Sequence, residues 1–367
     1  MTTVLDITAD PRRLNGRGAL SNASGRYERE TRVLVDDGWN ADGADPDFDG
    51  PALKTEILRD TSRTIITRNN SPDISFSQSI NPYKGCEHGC IYCFARPTHA
   101  YLGLSPGLDF ESKLLVKPEA AELLEKELAA PGYEPKVIAI GTNTDPYQPI
   151  ERKYQVMRRI LEVLDRAGHP VGIVTKSALV LRDLDILARM AERKLAKVAL
   201  SVTTLDPDLA RRMEPRAATP MRRLEALRRL TQAGVPTSVM VAPVIPALND
   251  MEIERILEAA HAAGVREAGY VLLRLPLEVR DLFREWLKAN YPDRESHVFK
   301  LVRDMRGGKD YDSKWFTRQK GTGPYAWMIG RRFEMTCDKL GFNKERSQLS
   351  TAHFRHPKPN SAQVSLF

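Results

Sequence analysis

The chain predicts an α/β fold in which strand-helix units repeat along a parallel sheet. Apolar runs of strand length alternate with helical patterns, and those runs are almost continuously apolar, as strands covered on both faces must be. The segments that follow them are unusually polar, which is where parallel sheets gather their ligands.

Taken in order, a first strand runs into Asn81 and is followed by the helix KPEAAELLEKELAA. VIAIG at Val137 precedes RKYQVMRRILEVL, VGIVT at Val171 precedes LRDLDILARMAERK, and VALSVT at Val198 precedes PMRRLEALRRLTQAG. VMVAPVI from Val239 to Ile245 precedes MEIERILEAAHAAG, and GYVLLRL from Gly269 to Leu275 precedes EVRDLFREWLKANY. Each helix repeats apolar residues at three- and four-residue spacing, as at Met157, Ile160, Leu161 and Leu164. That makes six units, fewer than a closed eightfold barrel needs, so the sheet is a partial barrel or open.

The polar strand ends read GTNTDPYQPIE, TKS, SVTTLD and APVIPALND. Thr144 and Asp145 can accept from and orient an ammonium group, Lys176 and Ser201 can meet a carboxylate or a ribose hydroxyl, and the backbone near Ala242 can reach an adenine edge. The competing reading is local: Asp145 caps the turn that follows it through the DP dipeptide, and Lys176 and Ser201 are ordinary loop polars.

Cys86, Cys90 and Cys93 stand in NPYKGCEHGCIYCFARP. Three thiolates spaced CxxxCxxC suit three irons of a four-iron cluster and leave the fourth iron open to a small chelating molecule. Tyr92 precedes the last cysteine and packs beside that ligand. Zinc is the alternative, with His88 as a possible fourth ligand, although three residues between the first pair differ from a zinc knuckle. Four cysteines in 367 residues and no apolar leader point away from a disulfide framework and toward reduced thiols in the cytoplasm. Cys337, in RRFEMTCDKL, reads as a small core residue.

The triplet with its flanks resembles the radical S-adenosylmethionine (radical SAM) superfamily. The wider string NPYKGCEHGCIYCFARPTHAYLGLSPGLDFESK is similar to an uncharacterised branch related to spore photoproduct lyase, over roughly Thr55 to Leu340. The resemblance implies a partial (β/α)6 TIM-like barrel with N- and C-terminal extensions, and a [4Fe-4S] cluster on Cys86, Cys90 and Cys93. It implies SAM contacts at Thr144, Asp145, Lys176 and Ser201, beside the contacts at Tyr92 and Ala242 read from the residues, and an external one-electron donor of flavodoxin or ferredoxin type. Reductive cleavage of SAM to a 5′-deoxyadenosyl radical, which takes hydrogen from a substrate, is the implied chemistry. Two departures argue against dimer repair by the lyase's own route: Thr142 stands where the lyase has a hydrogen-donating cysteine, and Phe94 where it has a tyrosine. Tyr101 and Tyr147 are other possible relays. The alternatives are a nucleic-acid repair or modifying radical enzyme and a non-catalytic iron-sulfur or zinc module.

The net charge of +7 is uneven, because His297 to Phe367 holds 14 Lys and Arg against 6 Asp and Glu. That basic region, with Trp315, Phe316, Tyr325 and Trp327, is a candidate surface for a nucleic-acid backbone and its bases. The chain divides into an N-terminal extension at 1–73, partly disordered, with NGRGAL as a contact arm and LKTEILRDTSRTIITR bracing the sheet edge. The partial barrel spans 74–292, a basic helical extension 293–345 and a polar tail, disordered by composition, 346–367. The C-terminal helical region and the loop THAYLGLSPGLDFE are expected to seal the mouth. No run is long and apolar enough to cross a membrane.

Overall fold

The structure, a computed structural model, describes residues 16–28 and 53–357. Ten strands are present among them: β1 (Glu56–Arg59), β2 (Ile66–Arg68), β3 (Gln78–Ile80), β4 (Tyr83–Lys84), β5 (Lys113–Val116), β6 (Ile138–Ile140), β7 (Val171–Thr175), β8 (Ala196–Ser201), β9 (Thr237–Val244) and β10 (Glu267–Leu272). The main sheet runs β10-β9-β8-β7-β6-β3-β2. Its first six strands are parallel and match the six apolar runs, while β2 is antiparallel to β3 and closes that edge. A small sheet, β1-β5-β4, stands beside it. The barrel is therefore partial and open, as a six-unit repeat requires.

Apolar periodicity explains how the layers bind. Helix Val156–Ala167 turns Val156, Met157, Ile160, Leu161, Val163 and Leu164 inward onto the sheet, and Gly168 ends it in the left-handed region. Each such side chain, once covered, contributes roughly 1.5–3 kcal/mol. Helix Pro207–Met213 begins on Asp206, whose carboxylate accepts from the backbone N–H groups of Asp208 and Leu209, with a proline in the first turn. Cys337 lies buried in the main core, as its helical setting suggested.

A second core gathers Cys90, Ile91 and Tyr92 with Leu273, Leu275, Phe283, Trp286 and Phe299. Helices Glu278–Asn290 and Pro292–Asp304 thus press on the cysteine loop, whereas helix Gly323–Leu340 packs outside against helix Ile253–Ala262, through the Arg332–Glu254 pair among others. Among the described residues, only the earlier part of the expected C-terminal seal shares a core with the cysteine loop.

The NGRGAL arm, from Gly16 on, is a contact segment: Gly18 and Ala19 donate their N–H groups to Glu111, and Arg17 reaches the carbonyls of Glu111 and Leu53. The rest of the segment expected to be loose, 1–15 and 29–52, lies outside the described residues. The tail departs from expectation up to residue 357, because Phe354 inserts beside Tyr133 and His169 and Arg355 donates its N–H to Ala167. One aromatic anchor and backbone pairing outweigh a polar composition there. Residues 358–367 lie outside the described set.

Candidate cofactor site at the cysteine loop

The cysteine loop joins β4 to the 3-10 segment Arg96–Leu102 and is shaped by backbone hydrogen bonds rather than by regular structure. Gly85 and Gly89 both take positive φ, +77° and +66°, and at Gly89 an added Cβ would lie 2.8 Å from Glu111 Oε2. Buried Arg96 holds the loop from inside: it donates to the carbonyls of Cys90 (3.0 Å), Gly89 (3.2 Å), Pro106 (3.1 Å) and Gly107 (3.0 Å) and pairs with buried Glu111. A buried cation is tolerated because its donors are engaged and its charge is matched.

Cys86 and Cys90 are buried and Cys93 is partly open. Burial first, then the Asp145 carboxylate, pushes the Cys86 thiol well up; burial, then Glu214, pushes Cys90 up to about 12 against the pull of Lys176. Binding a metal to these thiols must therefore expel protons. His88 lies with its Nδ1 3.3 Å from Asp145, a contact that fixes the ring and leaves Nε2 uninvolved among the described residues.

Asp145 joins the strand ends. Its Oδ1 accepts from Thr175 Oγ1 (2.7 Å) and Tyr147 N (2.9 Å), and its Oδ2 accepts from Lys176 N (2.7 Å). Burial opposes its ionisation, yet His88 and these hydrogen bonds hold its pKa down to about 2. The expected turn cap is present, and so is more: one carboxylate ties the cysteine loop to the ends of β6 and β7. Thr144 is buried and donates its hydroxyl to Tyr83 O at 2.8 Å, so its lone pairs remain for an incoming donor.

Lys176 holds its ammonium 5.7 Å from the Tyr92 ring centroid. Tyr92 donates its hydroxyl to Glu214 and lies 3.4 Å from Thr203 Oγ1, whose one hydrogen goes to Glu214 at 2.7 Å while the same oxygen lies 3.2 Å from the Ala242 carbonyl. Arg223 pairs with Glu214 and donates to the Ser201 carbonyl at 3.0 Å. Tyr92, Lys176, Ser201 and Ala242 are thereby joined in one network around the loop. Its centre is Glu214, buried and held at about pKa 2 because Arg223 and Lys176 outweigh the cost of burial.

Sequence reasoning missed Glu214, Arg223, Arg96 and Glu111, since a charged residue carries no periodic sign of burial. The one available signal was the string MEPR, a polar stretch after β8, whose Met213 carbonyl accepts from Ile91 N and whose Arg216 N donates to the His88 carbonyl. Of the suggested relays, Tyr101 is exposed and stacked on Tyr27, while Tyr147 is buried with its hydroxyl donated to Asp183. Trp315, Phe316 and Trp327 are exposed; Tyr325 donates to Asp250.

Residues 80–260 match the family model described as the radical SAM superfamily. An uncharacterised protein of Mycobacterium tuberculosis is 36% identical over 260 residues, covering 70% of this chain and 76% of the relative. An uncharacterised protein of Methanocaldococcus jannaschii is 28% identical over 240 residues, covering 65% and 85%. Among solved structures, a spore photoproduct lyase variant has TM-score 0.55 at 17% identity over 78% of this chain and 80% of its own. The lyase complexed with dinucleoside spore photoproduct has TM-score 0.53 at 16% identity, covering 77% and 78%. These likenesses show a shared fold. Among the described residues no helix is long and apolar enough to cross a membrane.

Proposed function

This chain belongs to the radical SAM superfamily, and from that premise we propose that Cys86, Cys90 and Cys93 hold a [4Fe-4S] cluster and that the enclosed strand ends bind S-adenosylmethionine. The observation that carries the reading is that the loop bearing the three cysteines, close enough for Cys90 and Cys93 to act electrostatically on the Cys86 thiol, lies with Lys176, Tyr92 and the Asp145 hub at the carboxyl ends of parallel strands. The donor set suits iron-sulfur chemistry, being three soft thiols with no fourth cysteine near in sequence. When bound, the pair supplies one-electron reductive cleavage of the sulfonium to a 5′-deoxyadenosyl radical able to take a hydrogen atom from substrate.

This chain's own residues bind, orient and exclude. Lys176 offers the ammonium for the carboxylate of the cofactor; Thr144 and Asp145 face its amino group, with Asp145 acting mainly by fixing the loop; Ser201 and the Ala242 backbone line the ribose and adenine. Tyr92, fixed through Glu214, packs beside the ligand. Helices Glu278–Asn290 and Pro292–Asp304 keep solvent from the inner wall of the loop. The electron comes from an external donor, of flavodoxin or ferredoxin type, in the reducing cytoplasm. Anaerobic reconstitution tests the cluster: iron and sulfide in the ratio of a cubane, lost together in Cys90→Ala, support it, and zinc retained in place of iron overturns it.

A second reading, a nucleic-acid-modifying radical enzyme, is favoured by the exposure of Trp315, Phe316 and Trp327 in the basic C-terminal region. Stimulation of cofactor cleavage by single-stranded DNA or RNA, lost in Trp315→Ala/Trp327→Ala, supports it; indifference to both polymers removes it.

A further inference from the structure

Among the described residues the buried arginines are satisfied, whereas half-buried Arg274 at the mouth is not. Arg96 and Arg223 spend their donors on carbonyls and each faces a carboxylate. Arg274, two residues beyond the end of β10, has no carboxylate within ion-pair distance among the described residues. Its one hydrogen bond there is a long one of 3.3 Å from Nη2 to the Tyr311 hydroxyl. Its Nε is buried without a partner. The guanidinium lies 4.8 Å from the ring centroid of Phe94, the residue that follows Cys93. Phe94 thus serves as a shelf that aims Arg274 across the mouth of the cysteine loop.

Its surroundings carry charge of both signs, with a second arginine at its back. Arg306 is held behind it by the carbonyls of Leu273 and Thr317, and burial followed by the charge of Arg274 pushes its pKa down. Tyr311 also lines a neighbouring cleft of about 660 Å³ that Arg274 does not itself line, with Arg303 and Lys309 beside the carboxylates of Glu278, Asp281 and Asp310, a volume suited to a small-molecule group. Arg303 is paired with Asp310, whereas Lys309 has no ion pair among the described residues.

We propose that this is a substrate-anchoring site for an anionic group, a phosphate or a carboxylate, received by Arg274 and Tyr311 with Lys309 at the outer rim. A planar guanidinium with free N–H groups, fixed on an aromatic face, is the donor that binds such oxygens through paired hydrogen bonds. Anchored there, the rest of the substrate reaches the cysteine loop across Phe94. The word substrate rests on the radical SAM reading above; the anion site itself does not.

The test is binding to the full chain, with no turnover needed. Inorganic phosphate and acetate are titrated separately, followed by line broadening of their 31P and 13C resonances, against wild type, Arg274→Gln, Arg274→Lys and the remote surface variant Lys344→Gln. The expected result is saturable binding of at least one anion, weakened at least about tenfold in Arg274→Gln, less in Arg274→Lys, and unchanged in Lys344→Gln. Phosphate alone assigns a phosphoryl-bearing substrate and acetate alone a carboxylate. No saturable binding of either anion by wild type, or equal affinity in Arg274→Gln at matched thermal stability, overturns the site. Because no cofactor cleavage is read, this result stands or falls apart from the cluster.

Discussion

Glu214→Gln keeps volume and removes one charge from the centre of the network. Arg223, almost fully buried, then retains the carbonyls of Ala218 and Ser201 but loses its paired carboxylate. Tyr92 and Thr203 keep a neutral acceptor in place of a charged one. Breaking one side of a buried pair costs about 3–5 kcal/mol, because the remaining charge stays desolvated. At about 2 °C per kcal/mol in a chain of this size, the melting temperature falls by about 6–10 °C. Adding Arg223→Met removes the stranded charge and restores much of that loss. Anaerobic thermal and urea denaturation of wild type, both single variants and the double variant form the cycle. A loss under about 1 kcal/mol in Glu214→Gln, or a double variant no more stable than the singles, would refute the claim that this pair organises the loop.

Other consequences follow from the same contacts. Gly89→Ala forces a side chain onto a positive-φ position against Glu111, whose oxygens are already bound by Gly18, Ala19 and Arg96, and costs about 1–3 kcal/mol; iron retained per chain after reconstitution should fall with it. His169 is buried, which lowers its pKa from 6.5 to about 4. Between those values the unfolded chain takes up the proton and the folded one does not, so stability is full above pH 6.5 and declines toward pH 4, by up to about 3 kcal/mol. His169→Gln should flatten that part of the pH profile, and an unchanged slope would assign the loss to other groups.

The sheet was legible because each parallel strand is an apolar run and each helix an amphipathic one, so Val171 to Thr175 or Val239 to Val244 announce themselves. The bracing role of the segment around Leu53 to Arg68 was legible too, since β1 pairs with β5 and β2 with β3. The cysteine loop was visible through spacing alone. What holds it was not: Arg96 and Arg223 lie in sequences that read as solvated, RRLEALRRL above all, and their burial depends on carboxylates at Glu111 and Glu214 that are distant in the fold's logic rather than periodic. Asp145 stands out by its position at a strand end, but nothing in its local sequence ties it to His88, 57 residues earlier. The anchoring of Phe354 in the tail was equally invisible, one aromatic among polar neighbours.

Production of 5′-deoxyadenosine tests the central claim most directly. The reconstituted chain is reduced with dithionite under anaerobic conditions and given S-adenosylmethionine, alongside Cys90→Ala and Lys176→Ala. Wild type is expected to give product, Cys90→Ala none, and Lys176→Ala a reduced yield that rises with cofactor concentration. A fully loaded, reducible cluster that yields no product, or a yield that persists in Cys90→Ala, would contradict it.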